Sequence, residues 1–203
     1  MKTLAKVIVG IVAVLVVMGL VYVLFFEKAE APLTPSDWAV YTESISGISF
    51  RAPISFNVVN NGKSVFTGAD VFSLIIPTTT PFVNTHLLHE ARIDIDTPTT
   101  TCVQSETLEG SASSTQVTIN GVKFARLLTG GVGAGNLYQG IDYTTTRNNL
   151  CYRVSLFTHS TNGEGFYTGD AAQIAQVAAQ QAKDISALFK LFDQIVTTIK
   201  FTK

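Results

Sequence analysis

No stretch of this chain gathers lysine and arginine into the stripe that would follow a phosphate backbone, so nucleic acid is not an expected partner. Beyond Ala31 there are 11 basic and 13 acidic residues, and the basic ones are scattered: Arg51, Lys63, Arg92, Lys123, Arg126, Arg147 and Arg153 among them. Catalytic signatures are missing too. There is no Gly-x-Ser-x-Gly elbow, the strained turn that exposes a serine nucleophile. Cysteine is down to two residues, Cys102 and Cys151, with no Cys-x-x-Cys spacing. A four-ligand zinc site therefore has no framework, and no cysteine follows the N-terminal hydrophobic run to carry a lipoprotein anchor.

Long apolar runs are the opposite case. Val7 to Phe26 holds 20 residues without one charge. As a helix it would span roughly 30 Å, the thickness of a bilayer's hydrocarbon core. A soluble buried helix of that length would normally keep a polar face. Lys2 and Lys6 precede the run, and Glu27, Lys28 and Glu30 follow it. Positive charge is retained on the cytoplasmic side. The expected arrangement is a cytoplasmic tail over residues 1–6, a transmembrane signal anchor over 7–26, a linker over 27–37 and an extracytoplasmic domain over 38–203. The linker, EKAEAPLTPSD, is polar and carries two prolines. A cleaved signal peptide is the competing reading. Its apolar region is usually shorter, and the one small-x-small site, Ala29-Glu30-Ala31, runs straight into Pro32. In an exported domain a Cys102–Cys151 disulfide can persist, whereas two buried thiols are the alternative.

Strand signals fill the middle of the chain. Ile45 to Arg51 and Ser55 to Val59 alternate loosely, and Asn61-Gly62 then reads as a hairpin turn with Ser64 to Phe66 returning. Val71 to Ile76 is apolar on both faces, as a central strand would be. Glu90 to Asp96 alternates cleanly, Ala91, Ile93 and Ile95 against Arg92, Asp94 and Asp96. Gln116 to Leu128 predicts a second hairpin about Asn120-Gly121. Leu137 to Thr145 and Leu150 to Thr158 make a third pair, joined by the polar Thr145 to Asn149. The period then changes. Ile185, Leu188, Phe189, Phe192, Ile195, Val196 and Ile199 form one helical stripe. Ala171 to Lys183 is helical by propensity, with Asp170 as its N-cap, and a short strand closes the chain at Lys200 to Thr202. Strand runs followed by a packed helix make an α+β domain with an antiparallel sheet.

Trp38-Ala-Val-Tyr41, Gly47-Ile-Ser-Phe-Arg-Ala-Pro53 and Phe56-Asn-Val58 together resemble the opening of PsbP-like and Mog1-like domains. Gly133 to Tyr138, Tyr143, Cys151 to His159 and the closing Phe192 to Phe201 are similar to a set of uncharacterised exported bacterial proteins with one N-terminal anchor. The resemblance covers most of Trp38 to Phe201. It implies a curved antiparallel sheet with packed helices and no particular activity, since one fold supports many functions.

Three constellations invite a chemical reading. His86, His89 and Glu90 lie close in sequence and His159 far away, but the spacing is not His-Glu-x-x-His, and on a strand positions three apart face opposite ways. No metal is expected. Asp94 and Asp96 share a strand face with Arg92 beside them, as on many solvated sheets. Calcium would need six or more oxygens. Gly130 to Gly135 lacks both the Gly-x-Gly-x-x-Gly spacing and a following helix, so it reads as a flexible loop or bulge between strands rather than a phosphate cradle.

That loop is the candidate binding region, because loops carry function more often than the strands they join. Gly133, Gly135, Asn136 and Tyr138 lie in it or follow it, with Tyr143 and Arg147 on the neighbouring segment. Aromatics and arginine are common binding anchors. The expected function is a membrane-anchored, non-enzymatic binding or accessory module without a cofactor, whose partner is an envelope protein or a small ligand. A small-molecule or lipid-binding domain using the sheet–helix cleft is the alternative, and a hydrolase the third reading.

Overall fold

Alternation decides the strands and their faces. The computed structural model describes residues 37–63, 70–79, 82–102, 114–163 and 170–202. Strands β1 (Trp38–Glu43), β2 (Ile48–Pro53) and β10 (Lys200–Phe201) form a three-stranded sheet with β2 in the centre. Strands β3 (Asn57–Lys63), β4 (Asp70–Ile75), β5 (Leu88–Asp96), β6 (Thr115–Ile119), β7 (Val122–Gly133), β8 (Asn136–Arg147) and β9 (Leu150–Thr161) form a seven-stranded sheet ordered β3-β4-β5-β9-β8-β7-β6. Every neighbouring pair is antiparallel. The large sheet is thus two meanders joined along β5 and β9.

One helix follows among the described residues, α1 (Ala171–Thr197). The Ala/Gln segment and the apolar stripe expected from the sequence are a single continuous helix, since neither glycine nor proline interrupts it. Asp170 caps it, its side chain accepting from the Ala172 amide at 3.0 Å. Ile185, Leu188, Phe192, Ile195 and Val196 are buried. With Phe50 of β2 and Phe201 of β10, they pack on the apolar face of the large sheet, where Leu74, Ile93, Ile95, Phe124, Ile141, Val154 and Leu156 belong to the same core. Asp184, buried on the helix, accepts from the backbone amides of Asn84 and Thr85 at 2.9 and 2.8 Å and so holds the segment before β5 against α1.

The other face of the large sheet is polar, and its centre is buried. One cross-strand row reads Ser73, Asp94, Ser155, Asp142. Asp94 and Ser155 are fully buried, and Arg153 is only 4% exposed. This corrects the reading of Asp94 and Asp96 as a solvated pair: alternation assigns residues to faces, not faces to solvent.

Two turns differ from expectation. Asn120-Gly121 is a tight turn, φ 49° and 81°, the geometry that suits Asn-Gly. Asn61-Gly62 instead lies inside β3, where the register shifts between Val59 and Gly62. The expected return strand at residues 64–66 lies outside the described residues, as do the span 7–26 and the linker up to residue 36. Among the described residues no helix is long and apolar enough to cross a membrane.

Candidate functional site

The glycine-rich segment is a strand and a two-residue turn rather than a flexible loop. β7 runs to Gly133, Ala134 and Gly135 turn with φ 49° and 77°, and β8 starts at Asn136. The glycines inside the strand have separate uses. Gly131 lies opposite Tyr138 and Gly140 opposite Phe157. A Cβ on Gly140 would meet the Leu156 carbonyl oxygen at 2.3 Å, whereas one on Gly131 or Gly133 would meet nothing within 4 Å.

Beside the turn, the polar face carries an aromatic group. His159 donates from Nε2 to Asn136 Oδ1 at 3.1 Å, and its ring stacks on Tyr138 at 4.9 Å. His89 packs on His159 at 5.4 Å and shares a 2.6 Å hydrogen bond with Thr161 Oγ1. The register shift between Leu88 and Glu90 explains why His89 reaches a neighbour that its sequence position did not suggest. Among the described residues, no three or more His, Cys, Asp or Glu side chains are arranged to hold a metal ion.

Four of the sequence candidates, Gly133, Gly135, Asn136 and Tyr138, therefore gather at one end of the β7–β8 hairpin. The other two do not. Tyr143 faces the opposite, apolar side, where its hydroxyl donates to Asp193 and accepts from Arg126 Nε at 3.0 Å. Burial and the Asp193 carboxylate push its pKa up to about 12. Arg147 lies at the far end of β8, over the Phe201 ring at 4.9 Å. Along a strand, the gap from Asn136 to Arg147 is about 36 Å. The cysteines are joined as a Cys102–Cys151 disulfide, beside a bridge between Thr99 and Cys151.

Apolar residues surface around the same hairpin. Val132 is 76% exposed, Leu128 38% and Tyr138 36%. β6 pairs with β7 only as far as Arg126, so the outer edge of β7 from Leu127 onward carries no strand among the described residues. That edge has neither charge nor proline, the usual devices against strand addition.

Two arginines of the polar face are tied into ion pairs. Arg153 lies 3.1 Å from Asp142 and 3.8 Å from Asp96, and Arg92 lies 3.2 Å from Asp94. Burial pushes the Asp94 carboxyl up, against the opposing pull of the Ser73 hydrogen bond and Arg92.

The sheet–helix cleft, named from the sequence only as an alternative, has a lining that the sequence left unassigned. It has a volume of about 460 Å³ and opens between β8 and α1, lined by residues that include Leu137, Gln139, Gln181, Ile185 and Phe189. Strand register and helix phase alone bring the two glutamines together, and no local motif announces them.

Fold and sites together define an α+β domain: an antiparallel sheet with a helix on its apolar face, a hairpin end on one side of β8 and a cleft on the other. No family model and no curated protein matches the chain. Among solved structures it is similar to a protein from Bacteroides thetaiotaomicron VPI-5482, at 14% identity and a TM-score of 0.41 over 82% of this chain and 49% of that one. It is also similar to cyanobacterial PsbP (CyanoP) from Synechocystis sp. PCC 6803, at 11% identity and a TM-score of 0.44 over 86% of this chain and 98% of that one. The chain spans about half the length of the first of these.

Proposed function

We propose that this chain is a membrane-anchored, extracytoplasmic binding module of PsbP-like type. In this reading it is not an enzyme, and it engages an envelope protein by adding one of that protein's strands to β7 beyond Arg126, an edge that carries no strand among the described residues. The carrying observation is the combination of that edge with exposed Leu128 and Val132. Main-chain hydrogen bonds give affinity in such pairing, and alternate side chains give selectivity. The uncharged run from Val7 to Phe26, with Lys2 and Lys6 before it, supports the anchor and its orientation. The disulfide suits an oxidising compartment. A structural role for the ionisable groups is favoured by their pairing, since Tyr143, Asp193 and Arg126 join sheet to helix.

Two experiments test the reading. External protease added to cells with the outer barrier opened should digest residues 38–203, and complete protection would reverse the orientation. A photocrosslinking residue at position 132 in native membranes should give one discrete adduct. Leu128→Lys should abolish that adduct, and Val40→Lys, on an exposed position of the other sheet, should leave it. An adduct indifferent to Leu128→Lys, or no adduct, removes the basis for edge pairing.

A further inference from the structure

The geometry points to the β8–α1 cleft as a site for a neutral, hydroxyl-headed amphiphile, a polyol group joined to a short aliphatic body. Its volume, about 460 Å³, falls in the range of small-ligand pockets. Leu137, Ile185 and Phe189 supply apolar wall, and among the described residues none of the lining side chains carries a charge. A charged ligand would give up hydration there without gaining a counter-ion.

The polar groups set the chemistry of the head. Gln181 is 6% exposed, and its Nε2 donates to Ser160 Oγ at 2.8 Å and to the Thr161 carbonyl at 2.7 Å. Both amide hydrogens are thereby committed, which fixes the amide plane and leaves Oε1 with acceptor capacity. A ligand head that reaches that oxygen must bring a donor. Gln139 and Ser186, also on the lining, each offer a donor and an acceptor. A hydroxyl satisfies both demands at one atom, whereas a carboxylate faces Oε1 with no proton to give. The asymmetry between a fixed acceptor and an apolar wall is what selects a neutral glyceride-like or glycoside-like molecule over a fatty acid. This site is separate from the β7 edge and does not depend on it.

The test uses the full chain in nanodiscs, with empty nanodiscs subtracted and ligand binding read by saturation-transfer NMR. The probes are monohexanoylglycerol, glycerol and hexanoate. Monohexanoylglycerol should bind, with hexanoate at least tenfold weaker. Ala182→Trp, which fills the cleft from an exposed helix position, should weaken the glyceride at least tenfold. Gln139→Leu should weaken it several-fold with the melting temperature unchanged. Hexanoate binding as tightly as the glyceride, or binding untouched by Ala182→Trp, overturns the proposal. Glycerol binding as tightly as the glyceride would assign the cleft to free polyols and overturn the amphiphile.

Discussion

The hydroxyl of Tyr143 on β8 donates a 2.7 Å hydrogen bond to the Asp193 carboxylate on α1, and Arg126 on β7 pairs with the same carboxylate at 3.2 Å. Two strands of one hairpin and the distant helix are tied at one point on the edge of the core. The arrangement has a pH signature. A phenol whose pKa rises from 10.0 to about 12 on folding binds its proton more tightly in the folded state. Its contribution to stability is complete below about pH 10 and is lost as pH rises towards 12. Urea unfolding from pH 8 to 12 should show stability falling across that window. Tyr143→Phe should flatten this fall and cost about 1 kcal/mol at pH 8.

On the polar face, Arg153 is the cation that both Asp142 and Asp96 approach. Arg153→Met should cost about 3–5 kcal/mol, the usual loss when one partner of a buried pair is removed. Chemical denaturation at neutral pH checks it. A loss below about 1 kcal/mol, the scale of an exposed pair, would mean that water reaches this face.

The glycines give an internal contrast. Gly140→Ala drives a methyl group into the Leu156 carbonyl and should destabilise by about 3 kcal/mol or prevent folding. Gly133→Ala meets open space and should stay within about 0.5 kcal/mol of the parent. Thermal melts of the two variants side by side settle the difference.

The disulfide closes a separation of 49 residues, worth about 4 kcal/mol in the chain-entropy account. Non-reducing mass spectrometry of protein made in an oxidising compartment should recover the Cys102–Cys151 peptide pair, and the double Cys→Ala variant should lose stability of that order. Free, alkylatable thiols in that sample would contradict it.

Much of this fold was legible because period and turn chemistry are local. The alternation in β5 placed Ala91, Ile93 and Ile95 on the core side, where they are buried. The Asn120-Gly121 turn, the Asp170 cap and the helical stripe also appear in the structure. Asn61-Gly62 misled because the same dipeptide serves a turn and an irregular strand. The polar Thr145 to Asn149 segment shortened to a turn at Asn148-Asn149, since β8 continues to Arg147. The site was harder to read. Tyr143 and Asn136 are seven residues apart on one strand, so period 2 puts them on opposite faces. His159 meets His89, and Gln139 and Gln181 come to line one cleft, only through strand order and helix phase, which no local pattern encodes.

The β5–β9 junction sets an order on assembly. Residues 88–95 pair with residues 154–160, so the β3–β4–β5 meander has no neighbour on its inner side until β9 has been made. A chain threaded through a membrane from its N-terminus would present β5 first and wait some sixty residues for its mate. Such non-local pairing slows folding and prolongs the life of an open sheet edge. A holdase on the far side of the membrane would find its work in that interval, before the two meanders close.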